Sequence, residues 1–385
     1  MRSIYLDYMA TTPVDERVVE AMYACMDVRG EFGNPASSTH RYGMRARQRV
    51  DLARQQVAAL IQANPKEIVW TSGATESDNL AIQGAVEFYA RRGKHIITMA
   101  TEHKAVLDTC RFLETQGYEV TYLMPEASGL LSLEALEQAF RPDTLLVSVM
   151  YVNNETGVVQ DIARIAEIVK ARGAIFHVDA AQANGKLPID VRKIPVDLLS
   201  MSGHKSYGPK GIGALYVRSK PKINLVPLIH GGQHEWGMRS GTLATHQIVG
   251  MGLAYEIAGQ RMQSDWEHAT HLTQHLKHKL LETDVHYTVA DESRVPFCLN
   301  FAFPGIRSEA LMLATPHLAY SSGSACNSAT PLPSHVLTAM DLPIELADCA
   351  VRLSVGRYTT LDEMEQAGDA LLLAWARLKQ IMKAI

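Results

Sequence analysis

The sequence predicts an α/β protein: a large domain built on a mostly parallel, mixed sheet covered by helices, and a smaller α+β domain. Two observations predict it. Short strand-like runs alternate with helical stretches of ten or more residues as far as about residue 217, a pattern that buries a parallel sheet on both faces. Near residue 260 the texture changes to a charged helix, short strands near Pro296–Phe303 and a final amphipathic helix over Leu361–Ile385.

In order, residues 44–62 carry Ala46, Val50, Ala53, Val57 and Leu60, the 4-3-4-3 spacing of one buried helical face. Glu67–Thr71 reads as a strand, and Gly73-Ala74-Thr75 turns it into a helix towards Arg92. Further strands are expected at His95–Met99, Glu119–Leu123, Thr144–Val152, Ile175–Val178, Val196–Met201 and Gly211–Val217. Helices are expected at Ala105–Thr115, at Ile162–Ala171 and from near His246. The large domain is set at residues 15–259, and the small one at residues 1–14 and 260–385.

Of 385 residues, 47% are hydrophobic and 20% charged, which excludes disordered, collagen-like and coiled-coil classes. The net charge of −4 supplies no positive field, so neither nucleic acid nor an anionic membrane is an expected partner. MRSIYLDYMATT lacks a basic-then-apolar leader, and no apolar run reaches the ~18 residues that span a bilayer. A soluble, cytoplasmic protein is expected. Cys25, Cys110, Cys298, Cys326 and Cys349 form no C-x-x-C pair, which argues against a disulfide framework or zinc ribbon.

Nucleotide motifs fail. Gly211-Ile212-Gly213 precedes a strand and has Tyr216 where the third glycine belongs; Gly203-His204-Lys205-Ser206 lacks the spaced upstream glycine of a P-loop. Ligands of open α/β sheets bind beyond the carboxyl ends of the strands, and three polar clusters fall there. Gly73-Ala74-Thr75-Glu76 opens a helix and can hold a phosphate on backbone N–H groups and the Thr75 hydroxyl. Asp179 ends AIFHVD, and Ser202-Gly203-His204-Lys205 ends VDLLSMS. Each alone has a structural explanation: a capped helix, a solvated carboxylate, a solvated lysine. Together they suit pyridoxal 5'-phosphate, whose chemistry needs a lysine and an acidic partner for the pyridine nitrogen.

TSGATESDNLAI, TEHKAVLD, VNNETG, HVDAAQ, SGHKSYGPKGIGALYV, GMRSGT and SSGSAC occur in that order, and the chain closely resembles the cysteine desulfurases. These belong to the class V aminotransferase superfamily of fold type I, and the likeness is to the bacterial housekeeping branch that supplies iron–sulfur clusters. The resemblance implies that Lys205 is the Schiff-base lysine, that Asp179 pairs with the pyridinium nitrogen and that Gln182 bonds the ring oxygen. It implies that His103 stacks on the ring and shuttles protons, that Thr75, Ser202 and His204 hold the cofactor phosphate, and that Ala74 also binds the cofactor. Thr242 would reach the phosphate of the other subunit of a homodimer. Asn34, Asn154 and Arg352 would lie at the substrate carboxylate, Arg352 with a bidentate fork and Asn154 also touching the cofactor.

Cys326 stands in SSGSACNS, a run too small and polar for a core and suited to a mobile loop over residues 319–333. The resemblance makes it the nucleophile that takes sulfur from L-cysteine as a persulfide, leaves L-alanine, and passes sulfur to an iron–sulfur scaffold or another acceptor protein. Trp236 in HEWGMRSGT, Asn327 after the cysteine and an ending at Ile385 depart from the housekeeping pattern. They bear on the acceptor rather than the chemistry. The alternatives are a selenocysteine lyase, a true aminotransferase, which has no need of the SSGSAC loop, and a non-catalytic sulfur-relay module, which has no need of Lys205, Asp179 and His103 together. His268, His271, His275 and His278 line one side of a helix at 3-4-3 spacing; this stripe reads as a solvated flank, with no metal site expected.

Overall fold

The computed structural model describes residues 3–322 and 333–383. Strand β1 (Ile4–Tyr5) and helix α1 (Glu16–Tyr23) lead into α2 (Arg41–Leu60), which buries Ala46, Val50, Ala53 and Val57 of the five residues whose spacing predicts it and leaves Leu60, at its end, half-buried. Helix α2 starts earlier than the apolar spacing because His40 caps it, its Nδ1 accepting from the Gly43 N–H at 3.2 Å. The chain then alternates: β2 (Ile68–Thr71), α3 (Ala74–Phe88), β3 (His95–Met99), α4 (Lys104–Thr115), β4 (Glu119–Leu123), α5 (Leu133–Ala139), β5 (Thr144–Met150), α6 (Ile162–Ala171), β6 (Ile175–Asp179), β7 (Leu198–Ser202) and β8 (Gly213–Val217).

These strands form one seven-stranded sheet in the order β2-β8-β7-β6-β5-β3-β4. Only β8 runs against its neighbours. The central strands are apolar on both faces, as Leu146, Val147 and Val149 of β5 illustrate; each is at most 1% exposed.

Helix α7 (Thr245–Lys279) runs 35 residues without a break across residue 260. It lies against α2 closely enough that a Cβ on Gly252 would stand 2.6 Å from the Ala53 Cα, so only glycine fits there. Beyond it come β9 (His286–Tyr287), β10 (Cys298–Ala302), α8 (Ser308–Ala314), β11 (Leu318–Ala319), β12 (Ser321–Ser322), α9 (His335–Ala339), α10 (Ile344–Ala347), β13 (Ala350–Ser354) and α11 (Leu361–Lys383). A four-stranded antiparallel sheet, β12-β13-β10-β9, collects this part, while β1 pairs in parallel with β11. The N-terminal segment bridges both sheets: Asp7 pairs with Ser354, and the Thr12 N–H donates to the His204 carbonyl at 3.0 Å.

The histidine stripe sits on α7. His268 Nε2 lies 2.8 Å from the Thr359 carbonyl and His275 pairs with Glu365, so two of its rings face α11 and the turn before it. Among the described residues no group of three or more potential ligands gathers to hold a metal ion. No helix among them is long and apolar enough to cross a membrane.

Candidate active site

A cleft of about 610 Å³ opens at the carboxyl ends of β5, β6 and β7, where the fold leaves strand ends uncovered. Ala74, Thr75, His103, Asn154, Asp179, Gln182, Ser202, His204, Lys205 and Arg352 all line it.

Helix α3 begins at Ala74 and directs its first-turn N–H groups, which have no intrahelical partners, to the cleft edge. The turn lies tight on the sheet because Gly213 of β8 has no side chain; a Cβ there would come within 2.6 Å of the Gly73 Cα. Glu76, on the same turn, is lifted by burial, but Arg239 at 2.9 Å and the Ser72 N–H at 2.7 Å more than offset this and hold it ionised. Its charge is thus spent on Arg239 rather than left to repel an anion.

Asp179 closes β6 at 5% exposure, and its Oδ1 accepts from the Ala181 N–H at 2.9 Å. Burial raises its pKa, opposed by that N–H and by Lys205. Lys205 Nζ donates to the carbonyls of Met9 and Ala10 at 2.7 and 2.8 Å. His103 caps α4: its Nδ1 accepts from the Ala105 N–H at 3.1 Å, which puts the proton of the neutral ring on Nε2. Burial lowers its pKa and keeps it neutral. His204, with Nδ1 3.1 Å from Thr11 Oγ1, is driven down to about 4 by burial and then by Lys205.

Arg352 enters from β13 and is 2% exposed. Its guanidinium donates to Asp7 Oδ1 at 2.7 Å, to the Asn154 carbonyl at 2.8 Å and to Ser321 Oγ at 3.2 Å, while its buried Nε has no partner. An unsatisfied buried N–H on a cation is costly, and an anion in the cleft would relieve it.

Two expected residues lie elsewhere. Asn34 is exposed and outside the cleft because its Oδ1 is taken by the Ala36 N–H at 2.9 Å, a local loop bond. Thr242 is exposed and does not line this chain's cleft. Cys326 lies outside the described residues. The other four cysteines are buried free thiols; burial raises the pKa of each, to about 12 for Cys110 and about 11 for Cys298, which makes them poor nucleophiles. Sequence reasoning missed the carbonyls of Met9 and Ala10, Asp7 beside Arg352, and the buried Asp78 at the cleft floor.

This sheet and cleft define a class of protein: the Aminotransferase class-V family model matches residues 4–367, and the chain belongs to that family. The architecture is that of fold type I. Within the family, the chain is 56% identical over 379 residues to Cysteine desulfurase IscS of Vibrio atlanticus, covering 98% of this chain and 94% of the relative. It is 55% identical to the protein of that name from Klebsiella pneumoniae over the same shares. Among solved structures, a NifS-like protein superposes with a TM-score of 0.90 at 36% identity, over 98% of this chain and 99% of the other. SspA in complex with cysteine gives 0.84 at 40% identity, over 93% and 100%.

Proposed function

We propose that this chain is a cysteine desulfurase that uses pyridoxal phosphate to convert L-cysteine to L-alanine and moves the sulfur to Cys326. Its relatives carry that name, and the observation that carries the reading is the convergence of Lys205, Asp179 and the α3 turn on one cleft. The residues present fit the cofactor. The α3 turn, Ser202 and His204 offer uncharged donors for a phosphate, Asp179 offers a buried carboxylate, and the unpartnered Arg352 Nε awaits a carboxylate. The volume suits a cofactor with an amino acid beside it.

When bound, the cofactor supplies an electron sink for the carbon that loses its proton. Lys205 would hold it through Nζ, and Asp179 would keep its pyridine nitrogen protonated. Gln182 would bond its ring oxygen, and His103, with a neutral ring, would lie against it and move protons at Nε2. Arg352 and Asn154 orient the substrate carboxylate. Cys326 Sγ bonds to the substrate sulfur as the substrate's carbon–sulfur bond breaks. The products are L-alanine and a Cys326 persulfide, with no external oxidant or reductant.

Four free thiols suit a reducing cytoplasm. The exposed Thr242 suits a homodimer in which each subunit completes the other's phosphate site. Residues 15–259 form the cofactor domain; 1–14 and 260–385 form the small domain that brings Arg352 and Cys326. The persulfide then serves iron–sulfur cluster assembly or another sulfur acceptor protein. The test is the purified protein, loaded with pyridoxal phosphate and given L-cysteine. Alanine should form from the wild type but not from Lys205→Ala, whose visible cofactor band should also be absent.

A further inference from the structure

Lys186 follows Gln182 by four residues in the turns that link β6 to β7, and nothing in the reaction above uses it. Its Nζ donates to Gln182 Oε1 at 2.9 Å. Gln182 Nε2 donates to the Met9 carbonyl at 2.8 Å, and Lys205 Nζ reaches that same carbonyl at 2.7 Å. A carbonyl only accepts and an amine offers N–H, so one orientation of the amide satisfies both partners. Gln182 is 4% exposed, and without Lys186 its oxygen would lose this donor in a nearly dry site.

We propose that Lys186 is a positioning residue: it occupies the oxygen of Gln182 so that the amide NH2 faces the Lys205 side of the cleft. This rests on the reading that Gln182 meets the ring oxygen of pyridoxal phosphate. An N–H donated to that oxygen stabilises its ionised form and lowers the proton affinity of the nitrogen joining the cofactor to Lys205.

Around Lys186 stand Lys205, Arg352, the Cys298 thiol and the Phe297 ring, its centroid 6.0 Å from Nζ; Asp179, His103 and His204 face the cleft that Gln182 lines. Burial first, then Lys205, draws the Lys186 pKa down to about 7. An amine and an ammonium both donate, so Lys186 acts on Gln182 through the hydrogen bond in either protonation state.

The experiment is a pH titration of the visible cofactor band in loaded wild type, Lys186→Met, Lys186→Arg, Gln182→Leu and the Lys186→Met/Gln182→Leu double variant, with melting temperatures alongside. Lys186→Met should raise the midpoint by at least about half a pH unit, and Lys186→Arg, which keeps a donor, should return it most of the way. In the Gln182→Leu background, Lys186→Met should produce less than half of that shift. If Lys186→Met fails to fold, Lys186→Leu takes its place in the same cycle. A smaller or downward shift, no return with arginine, or a shift undiminished in the Gln182→Leu background overturns the inference while leaving the desulfurase reading intact. A wild-type protein that takes up no pyridoxal phosphate overturns that reading and this inference with it.

Discussion

Asp7 and Arg352, 345 residues apart in the chain, meet at 2.7 Å in the wall of the cleft. The carboxylate holds one edge of a guanidinium that is nearly inaccessible to solvent, and the buried Nε has no hydrogen-bond partner. A lysine in place of Arg352 supplies a point charge without the planar fork. Arg352→Lys should therefore lower kcat/KM for L-cysteine by about 10- to 100-fold, mostly through KM. Steady-state kinetics check this, and an unchanged KM would remove Arg352 from the substrate site.

A second prediction concerns the buried ion pair between Arg54 of α2 and Glu235. Arg54 donates to both oxygens of Glu235 at 2.7 Å, and its guanidinium lies 4.8 Å from the Trp236 ring and 5.4 Å from the Trp70 ring. Arg54→Ala strands the Glu235 carboxylate in a nearly dry site, so it should cost about 3–5 kcal/mol. The double variant Arg54→Leu/Glu235→Leu should recover much of this loss in urea unfolding. Equal stability of the single and double variants would show that the charge is not the cause.

A third concerns acid. His177 is fully buried between Ser148 Oγ at 2.8 Å and Ser200 Oγ at 2.9 Å, and burial lowers its pKa from 6.5 to about 3. Its neutral form is favoured in the folded state, so the stability it contributes is present above pH 6.5 and is lost as pH falls towards 3. The unfolded chain takes up a proton that the folded one refuses, at about 1.4 kcal/mol per pH unit. His177→Gln lacks this penalty, so the stability gap between wild type and variant should narrow at that rate below pH 6.5. A gap that stays constant from pH 7 to pH 5 would contradict the assignment.

The fold was legible wherever burial follows a period. Ala46, Val50, Ala53 and Val57 face one way on α2, and Ile162–Ala171 and His95–Met99 run as their patterns predict. The helices α1 and α5, of eight and seven residues, are too short for periodicity to stand out. In the cleft, Asp179 and Lys205 were legible because a strand end in a parallel sheet is where ligands bind. The Met9 and Ala10 carbonyls were not, since backbone acceptors leave no residue-type signature. Nor was the Asp7–Arg352 contact, which no local spacing encodes. Trp236, an unexpected residue in its motif, has a physical role: it adopts φ of 56° and stacks on Arg54.

The buried thiols give a fourth prediction. Cys110 is fully buried and its pKa is pushed up to about 12, so it is a small apolar filler rather than a sulfur carrier. Cys110→Ala should leave alanine formation near the wild-type rate and cost only stability, about 1–2 kcal/mol from the small cavity. Loss of activity in a protein that still melts near the wild-type temperature would give this cysteine a part in the chemistry.

The most direct test of the desulfurase reading is a single turnover of the pyridoxal-phosphate-loaded protein with L-cysteine, followed by mass measurement of the protein and quantification of alanine. The wild type should gain one sulfur on Cys326 for each alanine released. Cys326→Ser should keep the cofactor band but gain no sulfur and form almost no alanine, because a hydroxyl is a far weaker nucleophile than a thiolate. Alanine released by Cys326→Ser at the wild-type rate would contradict the account.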